Sequence, residues 1–403
     1  MKKLTQSLIL AGIMSVPALA LADGKIPTIS EIMDASGVSL TGYFDVAYNS
    51  MNSTGLFTSA TPGVSYPAGV AQNTHIFDTP GAISSKDYSA FNLQQFSVII
   101  AKQPKEGFGG LVNLTTGQDA VPVASTGLGG GNNNHVFDMT QAYVSYATGP
   151  VTVIGGKFAT LAGAELITSP SNKNYTHAWM FGWGPYTHTG VRATYVASDM
   201  VTLIAGVNNG FDQVTSGTGG KTGEFGLDIT PSSLFSLATT YYQGKGMISG
   251  TTGTGKYLDM VGTINATSQL NFVFDYANGS QGNVPLPSGA IGTAKWDALA
   301  LYANYQMNDK WRLSYRNETF NDKDGFRSSL TYTAALGGVG VVGTPVAQKL
   351  KSNTLTVGYA PVKNFELRGE IRQDRSDRNS FLQVNGTGKN TQMTYALDAV
   401  YQF

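Results

Sequence analysis

The stretch from Thr391 to Phe403 is written in period two. Thr391, Met393, Tyr395, Leu397, Ala399, Tyr401 and Phe403 form one series, mostly apolar or aromatic. Gln392, Thr394, Ala396, Asp398, Val400 and Gln402 form the other, mostly small or polar. Successive side chains of a strand point to opposite faces, so this segment predicts a strand between two different environments. If one of those environments is hydrocarbon, an open sheet edge is forbidden there, because each unpaired backbone group costs several kcal/mol. The rest of the chain must then supply strands that close a barrel.

The composition leaves room for that and little else. After residue 22 no apolar run reaches the ~20 residues of a spanning helix. The chain has no cysteine, which excludes a disulfide framework and a thiolate metal site. Its formal net charge is zero, and nothing in it suggests a nucleic-acid partner.

Residues 1–22 read as a secretory signal peptide. Lys2 and Lys3 form its positive start, Leu8 to Met14 an apolar core too short to span, and Ala20-Leu21-Ala22 a small-x-small cleavage site. A single domain, residues 23–403, follows. Its one convincing helix is expected over residues 29–36, with Thr28 or Ser30 as cap, Glu31 in the first turn and Gly37 as stop.

From Val38 onward the pattern is all-β, with about sixteen strands, the even number that bacterial barrels use. The expected spans are 38–51, 89–102, 108–119, 136–148, 150–160, 187–198, 200–211, 221–230, 232–244, 256–267, 269–279, 294–307, 309–321, 350–361, 363–376 and 391–403. Short connections such as Thr148-Gly149-Pro150, Ser198-Asp199 and Asn308-Asp309 alternate with long ones. The long ones are 52–88, 120–135, 161–186, 212–220, 245–255, 280–293, 322–349 and 377–390. Short and long in alternation predict a transmembrane antiparallel barrel with tight periplasmic turns and long external loops.

Several strands show two different faces. Phe365, Leu367, Gly369 and Ile371 alternate with Glu366, Arg368, Glu370 and Arg372. Trp311, Leu313 and Tyr315 alternate with Arg312, Ser314 and Arg316, and Val191 and Ala193 flank Arg192. Arg or Lys facing lipid at mid-depth costs about 2–4 kcal/mol, so these charges must point inward. The expected lumen lining is therefore Arg192, Arg312, Arg316, Glu318, Glu366, Arg368, Glu370, Arg372 and Asp398. Tyr146, Tyr195, Tyr276, Tyr305, Tyr401 and Phe403 fall near expected strand ends, as interfacial girdles do. A soluble sandwich with one wet face explains the alternation but not the leader or the loop pattern.

Two resemblances add to this reading. The final strand, ending on Phe403, resembles the last strand of bacterial outer-membrane barrels, whose terminal aromatic is part of the signal read by the outer-membrane assembly machinery. Pro150 to Phe158, then Gly163-Ala164-Glu165, then Thr187-His188-Thr189-Gly190-Val191-Arg192 resemble the β-barrel porin family of OmpL-like outer-membrane proteins. The opening Ser36 to Phe44 fits the same group. The resemblance implies a diffusion channel for small solutes, set among membrane lipid and lipopolysaccharide in the outer membrane of a Gram-negative bacterium, with no cofactor and no enzymatic activity. An oligomer is compatible with it, although the Pro-Glu-Phe-Gly-Gly stretch of trimeric general porins is absent. The competing class is a surface adhesin or structural barrel with a closed lumen.

Loop 161–186 is the candidate constriction, carrying Glu165, Lys173, Trp179, Phe181 and Trp183. It either lies over the rim or folds inward. Folded inward, it would aim Glu165 across the lumen at a wall of Arg312, Arg316, Arg368 and Arg372, creating a transverse field. The alternative is that these arginines pair with Glu318, Glu366 and Glu370 and stiffen the wall. His75, His135, His177 and His188 show no metal-ligand spacing.

Overall fold

The computed structural model describes residues 29–52, 88–127, 137–328, 345–382 and 388–403. The leader, His75, His135, and most of the 52–88 and 322–349 connections lie outside the described residues. Helix α1 (Ile29–Ser36) precedes the sheet and ends at Gly37, whose φ of 66° suits a helix stop that glycine adopts without strain.

Sixteen antiparallel strands close a barrel. They begin with β1 (Ser39–Met51), β2 (Tyr88–Lys102), β3 (Gly107–Thr116), β4 (Phe137–Thr148) and β5 (Val151–Ala159). They continue through β6 (Thr187–Ser198), β7 (Val201–Asn208), β8 (Thr222–Ser232), β9 (Phe235–Lys245) and β10 (Thr254–Asn265). Then come β11 (Leu270–Pro285), β12 (Ile291–Gln306), β13 (Trp311–Asp322), β14 (Gln348–Val362) and β15 (Phe365–Ser376). A two-stranded ladder, β16 (Phe381–Leu382) with β17 (Gly388–Lys389), decorates the last long connection. Strand β18 (Thr391–Gln402) pairs with β15 on one side and β1 on the other, and so leaves no edge.

The period-two pattern sets the two faces. On β18, Gln392, Thr394, Ala396, Asp398 and Val400 are buried toward the inside, while Tyr395, Leu397 and Tyr401 are exposed outside. Strands β13 and β15 repeat this, with Arg312, Arg316, Arg368 and Arg372 inside and Trp311, Tyr315 and Ile371 outside; Arg375, near the long-loop end of β15, is exposed on the outer face. Large apolar side chains stay exposed around the outer surface, Phe91 and Phe108 most of all. That is the face expected to meet lipid.

Two expectations need correction. Residues 280–293 are not a long loop: β11 and β12 extend through most of them and leave only residues 286–290 between the strands. The same extension puts Tyr276 in mid-strand, opposite Met260 and Leu299, rather than at an interface. Tyr146, Tyr195, Tyr305, Tyr401 and Phe403 are exposed near the short-turn rim.

Candidate functional site: the strapped loop inside the barrel

Residues 160–186, between β5 and β6, run inside the barrel rather than over its rim. The segment leaves the wall through a narrow neck, where the Thr160 amide donates to the Tyr186 carbonyl at 3.0 Å. It carries a short 3-10 turn (Ser169–Ser171), and near its end helix α3 (Trp179–Trp183). Helix α2 (Ala120–Val123), on the preceding long connection, packs Val123 into a small cluster with Tyr186.

An irregular segment carries backbone amides and carbonyls that no ladder satisfies, and inside a protein each needs a partner. Here the wall supplies them with charged side chains. Four arginines donate to loop carbonyls: Arg312 to Lys173 at 2.5 Å, Arg316 to Thr176 at 2.5 Å, Arg368 to Asn172 at 3.2 Å and Arg372 to His177 at 2.5 Å. Four carboxylates accept from loop amides. Glu370 takes Tyr175 at 2.7 Å and Thr176 at 3.0 Å, and Glu318 takes Trp179 and Met180, both at 2.7 Å. Asp259 on β10 takes Gly163 at 2.8 Å, and Asp275 on β11 takes Ala164 at 2.7 Å. Charge-assisted bonds are roughly twice as strong as neutral ones, so this strapping is firm.

Each arginine also has a carboxylate neighbour. Arg312 meets Glu366 at 2.6 Å and Arg372 meets Asp374 at 2.8 Å. Arg368 sits between Asp398 and Asp45, with Asp45 at 3.3 Å. Arg192, away from the loop wall, pairs with Glu224 at 2.6 Å and lies over the Phe158 ring at 4.2 Å. A buried cation must be paired in this way to be tolerated.

Glu165 is the hinge of the arrangement. Its Oε1 accepts from Arg316 at 2.6 Å and from the Tyr302 hydroxyl at 3.2 Å. Its Oε2 accepts from the Ala178 amide at 2.8 Å and lies 3.0 Å from His177 Nδ1. Burial by itself would raise this carboxyl, but the Arg316 charge and the His177 contact outweigh it and hold it at about 2. The expected field across an open gap is therefore absent: Glu165 touches the arginine wall instead of facing it. His177 in turn stacks on Phe181 at 3.9 Å, and Arg372 lies over the Trp179 ring at 4.9 Å.

At the loop's exit, Asp212 accepts from the Tyr186 amide at 3.0 Å and the Thr187 amide at 2.8 Å. Its burial pushes the carboxyl up to about 7, against the pull of those two amides. Burial likewise lowers the Lys173 ammonium, with the nearby Arg312 adding to the effect.

Sequence reasoning missed Asp45, Asp212 and Asp259, and it turned Asp275 inward, opposite the series of Phe272, Phe274 and Tyr276, without naming it as a partner of the loop. A signal existed for Asp259: it sits between outward Leu258 and Met260, so period two already turns it inward. Nothing local marks Asp212, which lies beyond the end of β7. Among the described residues no cluster of His, Asp or Glu gathers as a metal site.

The loop does not fill the barrel. A cavity of about 170 Å³ remains between it and the wall of β1, β3, β4 and β5. Tyr43, Asn113, Thr115, Thr140 and Gln141 line the wall side, with Phe181 and Tyr186 on the loop side.

The fold is that of known outer-membrane channels. The structure is similar to the outer membrane channel DcaP of Acinetobacter baumannii, with a TM-score of 0.56 at 13% identity over 91% of this chain and 97% of that one. It is similar to an anion-selective porin from Comamonas acidovorans, with a TM-score of 0.58 at 11% identity over 91% and 99%. It is also similar to OprB of Pseudomonas putida, with a TM-score of 0.58 at 10% identity over 92% and 96%. No curated protein matches the sequence. The family model described as "Putative beta-barrel porin-2, OmpL-like" matches residues 57–403, and the chain belongs to that family.

Proposed function

We propose that this porin lets small hydrophilic solutes diffuse passively across the outer membrane, with residues 160–186 as a permanently fastened constriction. The observation that carries this reading is the closed, polar-lined barrel narrowed by an inward loop that leaves a cavity along one wall. A barrel of this strand count is wide enough for an aqueous channel. No catalytic step is needed for such a role. Lipid and lipopolysaccharide around the outer face, and recognition of Phe403 by the assembly machinery, belong to the same proposal.

The neighbour from Comamonas acidovorans is described as anion-selective. That property does not carry over easily, because the arginines that would attract anions are spent on carboxylates and loop carbonyls. A closed adhesin is the competing reading. Recordings from the refolded protein in planar bilayers separate the two. Discrete current steps are expected, and a fully folded protein that never conducts would favour the adhesin.

A further inference from the structure

We propose that the passage beside β1, β3, β4 and β5 is a subsite for uncharged, polyhydroxylated solutes of about monosaccharide size. The inference rests on the diffusion reading above and names the class of solute. Its wall is a chain of neutral hydrogen-bonding groups. Thr140 Oγ1 donates to Thr115 Oγ1 at 2.8 Å, and Thr115 Oγ1 lies 3.0 Å from Asn113 Oδ1. Asn113 Nδ2 continues the chain to Ser97 at 3.3 Å. The Tyr43 hydroxyl, beside them, bonds the side-chain oxygen of Gln95 at 2.5 Å. Hydroxyls and amides both donate and accept, so each can exchange a neighbour for a solute hydroxyl at little cost.

The opposite side is aromatic. Phe181 and Tyr186 meet at 5.3 Å between centroids, held by the strapped loop. Polar groups that fix orientation, set against apolar and aromatic surface, are the usual make-up of a small-molecule site. Aromatic carbon can cover the C–H face of a sugar ring while the wall bonds its hydroxyls.

Glu165 on the loop side and Lys157 on the β5 side are already matched. Among the described residues, Glu165 is the only carboxylate or ammonium side chain lining the cavity, and both its oxygens are taken by Arg316, Tyr302, His177 and Ala178. Lys157, on the adjoining β5, is paired with Asp138 at 3.1 Å. A charged solute would lose hydration here and meet, on the lining itself, only a carboxylate already paired, which is costly, whereas a neutral polyol trades water hydrogen bonds for equivalent ones. The arginine wall therefore anchors the loop, and the neutral wall selects.

The test uses the full-length protein in proteoliposomes, with swelling rates measured for glucose, for glucuronate and for glucosamine. Ionic conductance is recorded on the same preparation. Glucose should enter several-fold faster than either charged analogue. The double variant Thr115→Val/Thr140→Val should lower the ratio of glucose flux to ionic conductance several-fold. Tyr43→Phe, a gentler change that keeps the ring, should lower the same ratio by a smaller factor. Heat-modifiability on gels confirms that each variant is folded. Ion current with equal entry of all three sugars, and a ratio unmoved by either variant, would overturn the neutral subsite and leave the diffusion channel standing. A folded protein with neither current nor swelling would overturn both.

Discussion

Arg316 Nη1 stands 2.6 Å from Glu165 Oε1, although 151 residues separate them along the chain. The contact joins the wall to the loop. Arg316→Met removes the cation and leaves Glu165 buried, a change that typically costs about 3–5 kcal/mol. The loop should loosen, ionic conductance should rise, and the emission of Trp179 and Trp183 should shift to the red. Unaltered emission and conductance would place the fastening in the other arginines.

Acid should act on the same latch only at extreme pH. Glu165 is lowered from 4.5 to about 2, so its contribution is complete above pH about 4.5 and is lost as pH falls through about 2. Tryptophan emission should stay constant from pH 7 to 4. A transition within that window would contradict the pairing.

The neck should titrate in the opposite sense. Asp212 is raised by burial from 3.8 to about 7, so the stability linked to it is full below pH about 3.8 and is lost as pH rises through about 7. Thermal stability should therefore decline from pH 5 to pH 8. Asp212→Asn keeps an acceptor for the Tyr186 and Thr187 amides but cannot ionise, so its stability should be flat across that range. A slope identical to that of the parent would assign the titration elsewhere.

Phe403 closes the barrel as well as ending the strand. Its amide donates to Gly42 at 2.9 Å and its carbonyl accepts from the Gly42 amide at 3.0 Å. Its ring lies 5.8 Å from Phe44 and 6.4 Å from Phe96. Deleting Phe403 should lower the heat-modifiable folded fraction in cells more than it lowers refolding in detergent. Equal losses in both would make it an anchor and not an assembly signal. Gly42→Val should also reduce folding, because a side chain there would collide with the Phe403 ring.

The absence of cysteine makes topology easy to test. Lys105 lies in the turn between β2 and β3, and Ser288 lies between β11 and β12 at the other rim. An impermeant maleimide on intact cells should label Ser288→Cys and spare Lys105→Cys. The reverse pattern would invert the barrel. Gly63 and Gly338, within the expected external loops 52–88 and 322–349, lie outside the described residues.

Most of the barrel was legible in the chain. The alternation of Arg312, Ser314 and Arg316 with Trp311, Leu313 and Tyr315 marks the inner and outer faces of β13. The spacing of short and long connections named the strand number. Strand ends were less legible where residues 280–293 mix Gly, Asn and Pro with no clear period. There β11 and β12 keep pairing beyond the apolar band, because backbone hydrogen bonds between strands continue where side-chain patterning stops.

What the sequence determined by itself was the set of local quantities: periods, turn spacing, and which charges cannot face lipid. Those follow from neighbouring residues and from the pleat of a strand. What the arginines do there was decided only by the tertiary structure. Arg368 gathers Asp398, Asn172 and Asp45 around one guanidinium, with Asp45 distant by 323 residues in sequence. Barrel closure sets which strands lie side by side, and the path of the loop sets which carbonyls reach the wall. Neither is encoded in any short window. A guanidinium that reads as a free pore charge in the sequence therefore becomes a strap once backbone oxygens and carboxylates surround it.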